Sequence, residues 1–181
     1  MSSMAGNILN ISKHQGFILY NALSFQCVWW TGVLFGNRAL LLSIPLLVLH
    51  FILLPRVESA AAIPRDLSTM LKIGLLGMAV DSQLTLAGVF EFSVFPAWLA
   101  CLWLHFAVSL QHSLKLIRAF TIVLQAILGA IFGSLSYLAG AAFHAVSLPY
   151  GEGVSAVFLT IIWAVLLPLF IKLSRSHRSM G

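Results

Sequence analysis

Long apolar runs broken by short polar interruptions dominate this chain. Residues 14–37, 92–114 and 119–151 carry no charged side chain, and each exceeds the ~20 residues that cross a bilayer as a helix. Reading the runs against their punctuation predicts six helices, over 17–36, 38–54, 67–90, 96–113, 119–146 and 154–173. The first ends at Gly36-Asn37-Arg38 and the second before Pro55. In the polar loop that follows, Pro64 precedes an Asp66 to Thr69 segment that offers N-cap residues for the third helix. Pro96 suits the first turn of the fourth. The sixth starts after the turn-rich Leu148-Pro149-Tyr150-Gly151-Glu152-Gly153. Pro45 and Pro168 fall inside spans and predict kinks, which helices in lipid tolerate because neighbours satisfy the freed carbonyls. No internal repeat is evident, so an inverted-repeat transporter gains no support.

Composition agrees: 60% of the 181 residues are hydrophobic and 8% charged, against about 25% charged in soluble domains. The expected fold is therefore an all-α polytopic membrane protein. It has one domain over residues 1–181, six transmembrane helices and, given such short loops, no soluble domain. The net charge of +5 does not point to nucleic acid, because the Lys and Arg residues sit at the ends of spans and form no patch. Lys13, Arg56, Arg65, Lys72, Lys115, Arg118, Lys172, Arg175 and Arg178 fall on one side, with Arg38, Glu91 and Glu152 on the other. By the positive-inside rule both termini are cytoplasmic, and the loops around Asn37, Ser93 and Tyr150 face outward. The first span resembles a signal peptide superficially, but it is too long and lacks a small-residue cleavage site, so it is expected to stay as an anchor. The basic tail 173–181 is expected to touch anionic headgroups. Cys27 and Cys101 both lie inside spans, which leaves no disulfide framework and no thiolate metal site.

The candidate chemistry centres on Asp81, in the run GMAVDSQLTLAG. An ionised Asp at a helix centre costs ~2.5–3.5 kcal/mol on the insertion scale, so it must be protonated, paired or facing a wet cavity. Gly74, Gly77, Thr85 and Gly88 share its face, and small residues of this kind mark helix packing. Asp81 is therefore expected to point into the bundle. Asp81 and His105 lie at equal distances from the hairpin between the third and fourth helices, which makes His105 the expected partner. Trp98, Cys101 and His112 share the His105 face. Gln26 and Tyr137 are further candidate partners, and Asn21 completes the polar set. Such a centre can lock helices together or relay protons, and the sequence leaves both open. In the fifth helix Gly129, Gly133, Ser136 and Gly140 form a packing stripe, read as internal or as a dimer face. His50, isolated among Leu and Ile, reads as a core histidine. The five tryptophans look too dispersed for a cofactor cage, and Trp98 fits an interfacial belt. No catalytic residue is assigned, and no metal or cofactor is expected, since zinc, nucleophile-elbow, phosphate-loop and acidic-cluster motifs are absent from the sequence.

Asn21 with Phe25-Gln26 and Trp29, Val80-Asp81-Ser82, Pro96 through Trp98 to Leu102-Trp103, His112-Ser113-Leu114, and Ser136-Tyr137 with Gly140 resemble an uncharacterised family of bacterial inner-membrane proteins, a domain of unknown function. The resemblance spans nearly the whole chain and brings no reaction. It implies a multi-helix inner-membrane protein whose relatives are commonly encoded near cyclopropane-type fatty-acid synthases. The expectation is an accessory factor in envelope or membrane-lipid physiology with a buried polar site, an enzyme being the less expected reading. Its partners would be membrane lipids and, further, a membrane protein or a second copy. A small proton-linked transporter or channel and an intramembrane lipid-modifying enzyme with His105 as base are the alternatives.

Overall fold

The computed structural model of the protein describes residues 2–92, 94 and 96–175. Ser93 and the part of the tail from 176 onward, Arg178 included, lie outside them. Seven α-helices follow in order among these residues: α1 (Ser2–Phe35), α2 (Leu40–Val57), α3 (Ala62–Leu86), α4 (Ala97–Gln111), α5 (Ile122–Leu128), α6 (Ser134–Ala142) and α7 (Glu152–Arg175). A π-helical turn, Gly129–Gly133, joins α5 to α6 as one continuous rod. Short 3-10 turns occupy Gly36–Ala39 and Lys115–Ala119. The described residues contain no strand, only an isolated antiparallel bridge between Glu91 and Ser147.

Several element ends differ from the sequence reading, for physical reasons. α2 continues through Pro55 to Val57, because a proline there removes one helical hydrogen bond while Leu54, fully buried against Phe17 and Ala62, holds the last turn. α3 starts at Ala62, with Pro64 in its first turn and no side-chain cap at Ala61. Asp66 and Thr69, expected as caps, are instead buried inside the helix. The fifth rod begins at Ile122, where the Thr121 hydroxyl accepts from the Leu124 amide at 3.3 Å. α1 stops at Gly36, whose φ of +56° is the left-handed geometry that ends helices and favours glycine.

Large apolar side chains cover much of the outside: Leu41, Leu71, Leu75, Phe132, Ile161 and Val165 are all about half exposed or more. Three segments are long and apolar enough to cross a membrane: Ser12–Val57, Ile122–Ala142 and Glu152–Arg175. The first contains α2 and most of α1, folded at Gly36–Ala39. Ala97–Gln111 is apolar but shorter, and α3 carries Arg65, Asp66, Lys72 and Asp81. An apolar exterior on apolar helices is what a bilayer requires of a protein surface. The core between α3, α4 and α7 is aromatic, built around Trp103, Trp163 and Phe170.

Candidate functional sites

Glycines decide how closely these helices approach. A Cβ on Gly77 would meet the Trp103 indole, and one on Gly74 would meet Leu104 at 2.9 Å. α3 and α4 are thus in contact along the small-residue face that carries Asp81. The Asp81 carboxyl is 5% exposed. Its Oδ2 accepts from Trp103 Nε1 at 2.6 Å, and its Oδ1 accepts from the Tyr137 hydroxyl at 2.6 Å. α3, α4 and α6 are pinned together at this point.

His105 is elsewhere, which corrects the expected Asp81–His105 pair. Its Nε2 donates to the Ser43 carbonyl of α2 at 3.0 Å. The pairing argument matched depth and ignored direction: Trp103 and His105 are two positions apart, about 200° around a helix, so when one faces α3 the other turns away. Gln26 is exposed and does not reach Asp81. Asn21 is buried, but its Oδ1 accepts from the backbone amide and hydroxyl of Ser113, at 3.3 and 2.6 Å. Trp103 was missed because a tryptophan in an apolar run gives no polar signal. Its indole N–H is nonetheless the donor a buried carboxylate needs.

The tryptophans form a second feature. All five, Trp29, Trp30, Trp98, Trp103 and Trp163, line one cleft of about 590 Å³. Trp98, expected at the membrane interface, is 9% exposed and covers Gly32. Trp103 and Trp163 stack with centroids 5.7 Å apart and planes 8° from parallel. Phe25 and Phe106 extend the aromatic wall, and Tyr137 brings the Asp81 knot to its edge. α1 stands on one side of the cleft and the α5–α6 rod on the other, with α4 and α7 between them. Exposed Trp30, Phe132 and Leu135 lie at its rim. The tryptophans look scattered along the chain because they come from three separate helices.

The glycine stripe of the fifth rod faces inward. A Cβ on Gly129 would collide with the Trp163 carbonyl, and one on Gly133 with the Trp163 ring. Ser136 and Gly140 continue the stripe onto the cleft wall.

A third feature lies at the end of the bundle where α2 and α4 finish and α3 begins. His50 and His112, both buried, point at one carboxylate: each Nε2 reaches Asp66 Oδ2, at 3.0 and 2.7 Å. Arg65 holds the other oxygen, with Nε 2.8 Å from Oδ1, and its NH1 reaches Glu58 Oε2 at 2.7 Å. Glu58 Oε1 lies 3.4 Å from His112 Nδ1. The Phe17 ring packs on both imidazoles, with centroids 5.2 and 5.0 Å away. The Nδ1 of His50 is buried with no hydrogen-bond partner. His50 is therefore no isolated core histidine. A signal was available in the sequence, since His50, Asp66 and His112 all sit near span ends on the same predicted side. Ligand atoms of these three residues lie within 4.8 Å of one another, close enough for all to contact one ion.

Below this cluster Gln111 ties three helices. Its Nε2 donates to Thr69 Oγ1 at 2.6 Å and to the Ser174 carbonyl at 2.9 Å, while its Oε1 accepts from Arg118 at 2.8 Å.

No curated protein and no solved structure matches this chain. A family described as "Protein of unknown function (DUF2878)" matches residues 18–169.

Proposed function

For a chain that belongs to the DUF2878 family, and so inherits no activity from it, we propose a binding role: a bacterial inner-membrane protein that holds the hydrocarbon tail of a membrane lipid in its tryptophan-lined cleft. The convergence of all five tryptophans on one apolar cleft carries this reading. Its volume lies within the ~300–1,000 Å³ of small-molecule sites. Its walls are apolar and its rim lies among side chains suited to contact lipid, so a tail can enter sideways without crossing water.

The proposed topology has six crossings, by α1, α2, α3, α4, the α5–α6 rod and α7, with both termini cytoplasmic. Arg65, Arg118 and Arg175 cluster with the helix ends around Asp66, which supports that side as the positive one. Such a protein would serve envelope or membrane-lipid physiology as an accessory, alone or with a membrane partner. Transport and catalysis draw less support. Both Asp81 oxygens are engaged by Trp103 and Tyr137, and His105 spends its Nε2 on a backbone carbonyl and does not line the cleft.

The tryptophans report directly on occupancy. In vesicles containing lipid with brominated acyl chains, tryptophan fluorescence should be quenched with a saturating component near one lipid per chain. Ala139→Phe, which projects a ring into the cleft wall, should remove that component. Quenching that simply follows bulk label density in both proteins would dismiss the cleft as a binding site.

A further inference from the structure

From the convergence of His50, His112 and Asp66 on a single point, we propose that this cluster is a binding site for one divalent first-row transition-metal ion, held by the two Nε2 atoms and Asp66 Oδ2. The inference is independent of the lipid cleft, which none of the three residues lines.

The donor set is chemically apt. Two imidazole nitrogens and one carboxylate oxygen make up both the open zinc site with three protein ligands and the facial triad that holds iron(II). All three residues are buried, at 2%, 0% and 5% exposure for His50, Asp66 and His112. They come from α2, α3 and the C-terminal cap of α4, so the fold, and no local sequence motif, assembles them.

Outer contacts fit the same role. Arg65 occupies Oδ1 of Asp66 and leaves Oδ2 to face the imidazoles. Glu58 lies beside the far nitrogen of His112, where a carboxylate orients a metal-bound imidazole. Phe17 covers both rings and limits access by water.

Spacing is also compatible. Tetrahedral ligation at ~2.0–2.1 Å sets donor atoms about 3.3 Å apart. The observed 3.0 and 2.7 Å from the two Nε2 atoms to Oδ2 require those two pairs to separate by about 0.3 and 0.6 Å. On binding, each neutral imidazole carries its proton on Nδ1 and gives its Nε2 lone pair to the metal with no net change of protons; a proton competes with the ion for that lone pair, so binding weakens as pH falls.

The test uses the full chain in mild detergent, stripped with chelator and dialysed against Zn²⁺ or Fe²⁺ alone, with bound metal measured by mass spectrometry. One ion per chain is expected. Outer-shell partners alone are worth about 10–100-fold in affinity, so His50→Ala and His112→Ala should each weaken binding by more than about 100-fold. His14→Ala, at an exposed histidine, should leave it unchanged. Should either variant lose its helical circular dichroism, Co²⁺ added to the wild-type chain decides. Visible d–d bands of a nitrogen–oxygen site at one equivalent support the proposal. A spectrum of hydrated Co²⁺ overturns it, as does binding that survives in folded His50→Ala and His112→Ala.

Discussion

Replacing Tyr137 by Phe isolates one hydrogen bond at the Asp81 knot. The phenol donates to Oδ1 at 2.6 Å, while its ring stacks on Phe90 with centroids 5.3 Å apart. Phenylalanine keeps the ring and removes only the donor. Interhelical hydrogen bonds in membrane proteins average ~0.6 kcal/mol and reach ~1.7, whereas bonds to charged groups are worth about 1.5–3. Asp81 is 5% exposed and, among the described residues, has Trp103 as its other side-chain donor, so the stranded oxygen finds no ready substitute. The upper end of the membrane range applies, and the expected loss is about 1.5–2 kcal/mol. Tyr137→Ala should cost roughly 3 kcal/mol or more, because it also empties the ring's place. Reversible unfolding in mixed micelles, titrated with a denaturing detergent and followed by far-UV circular dichroism, measures both. Repeating Tyr137→Phe in an Asp81→Ala background should nearly abolish its effect. A loss below about 0.5 kcal/mol, or an equal loss in both backgrounds, would refute the assignment of the knot as a stabilising contact.

Two further outcomes follow from the other features. Gly129→Ala drives a methyl into the Trp163 carbonyl, a backbone atom that cannot rotate away, and should cost about 1–3 kcal/mol. Gly153→Ala, whose methyl meets nothing within 4 Å, should be neutral or stabilising by up to about 1 kcal/mol. Thermal melts of the two variants compare them directly. At the other end of the bundle Asp66→Asn breaks the carboxylate's pairing with Arg65, His50 and His112 and should be roughly 3–5 kcal/mol less stable than the wild type in chelator. An unchanged melting temperature would refute a stabilising role for that cluster.

The sequence made the rods and their ends legible within a few residues, because apolar runs and turn residues are local properties. It also indicated that Asp81 turns inward, since glycines at helical spacing mark a packed face. It named Tyr137 among the candidate partners of Asp81 but could not reveal Trp103. Depth along the bundle follows from counting residues, but rotation about the helix axis separates Trp103 from His105 and is set by packing. The same limit hid the tryptophan cleft and the His50–Asp66–His112 cluster, whose members come from different helices. Asp66 in particular looked like a cap, because an acidic residue after a proline commonly starts a helix. Here the helix had already started at Ala62, and that single turn moved Asp66 from the helix end to the interior.

The wide turn at Gly129–Gly133 sits between Gln125, which donates to the Ile117 and Phe120 carbonyls, and Tyr137, which donates to Asp81. A π turn accommodates one more residue than an α turn and so offsets everything beyond it by about 100° of azimuth. The rod therefore behaves like a shaft cut and rejoined with a built-in rotation. Its first half is keyed to the turn at Lys115–Ala119 and its second half aims a phenol, and the number of residues between them is as much a part of the design as their identity.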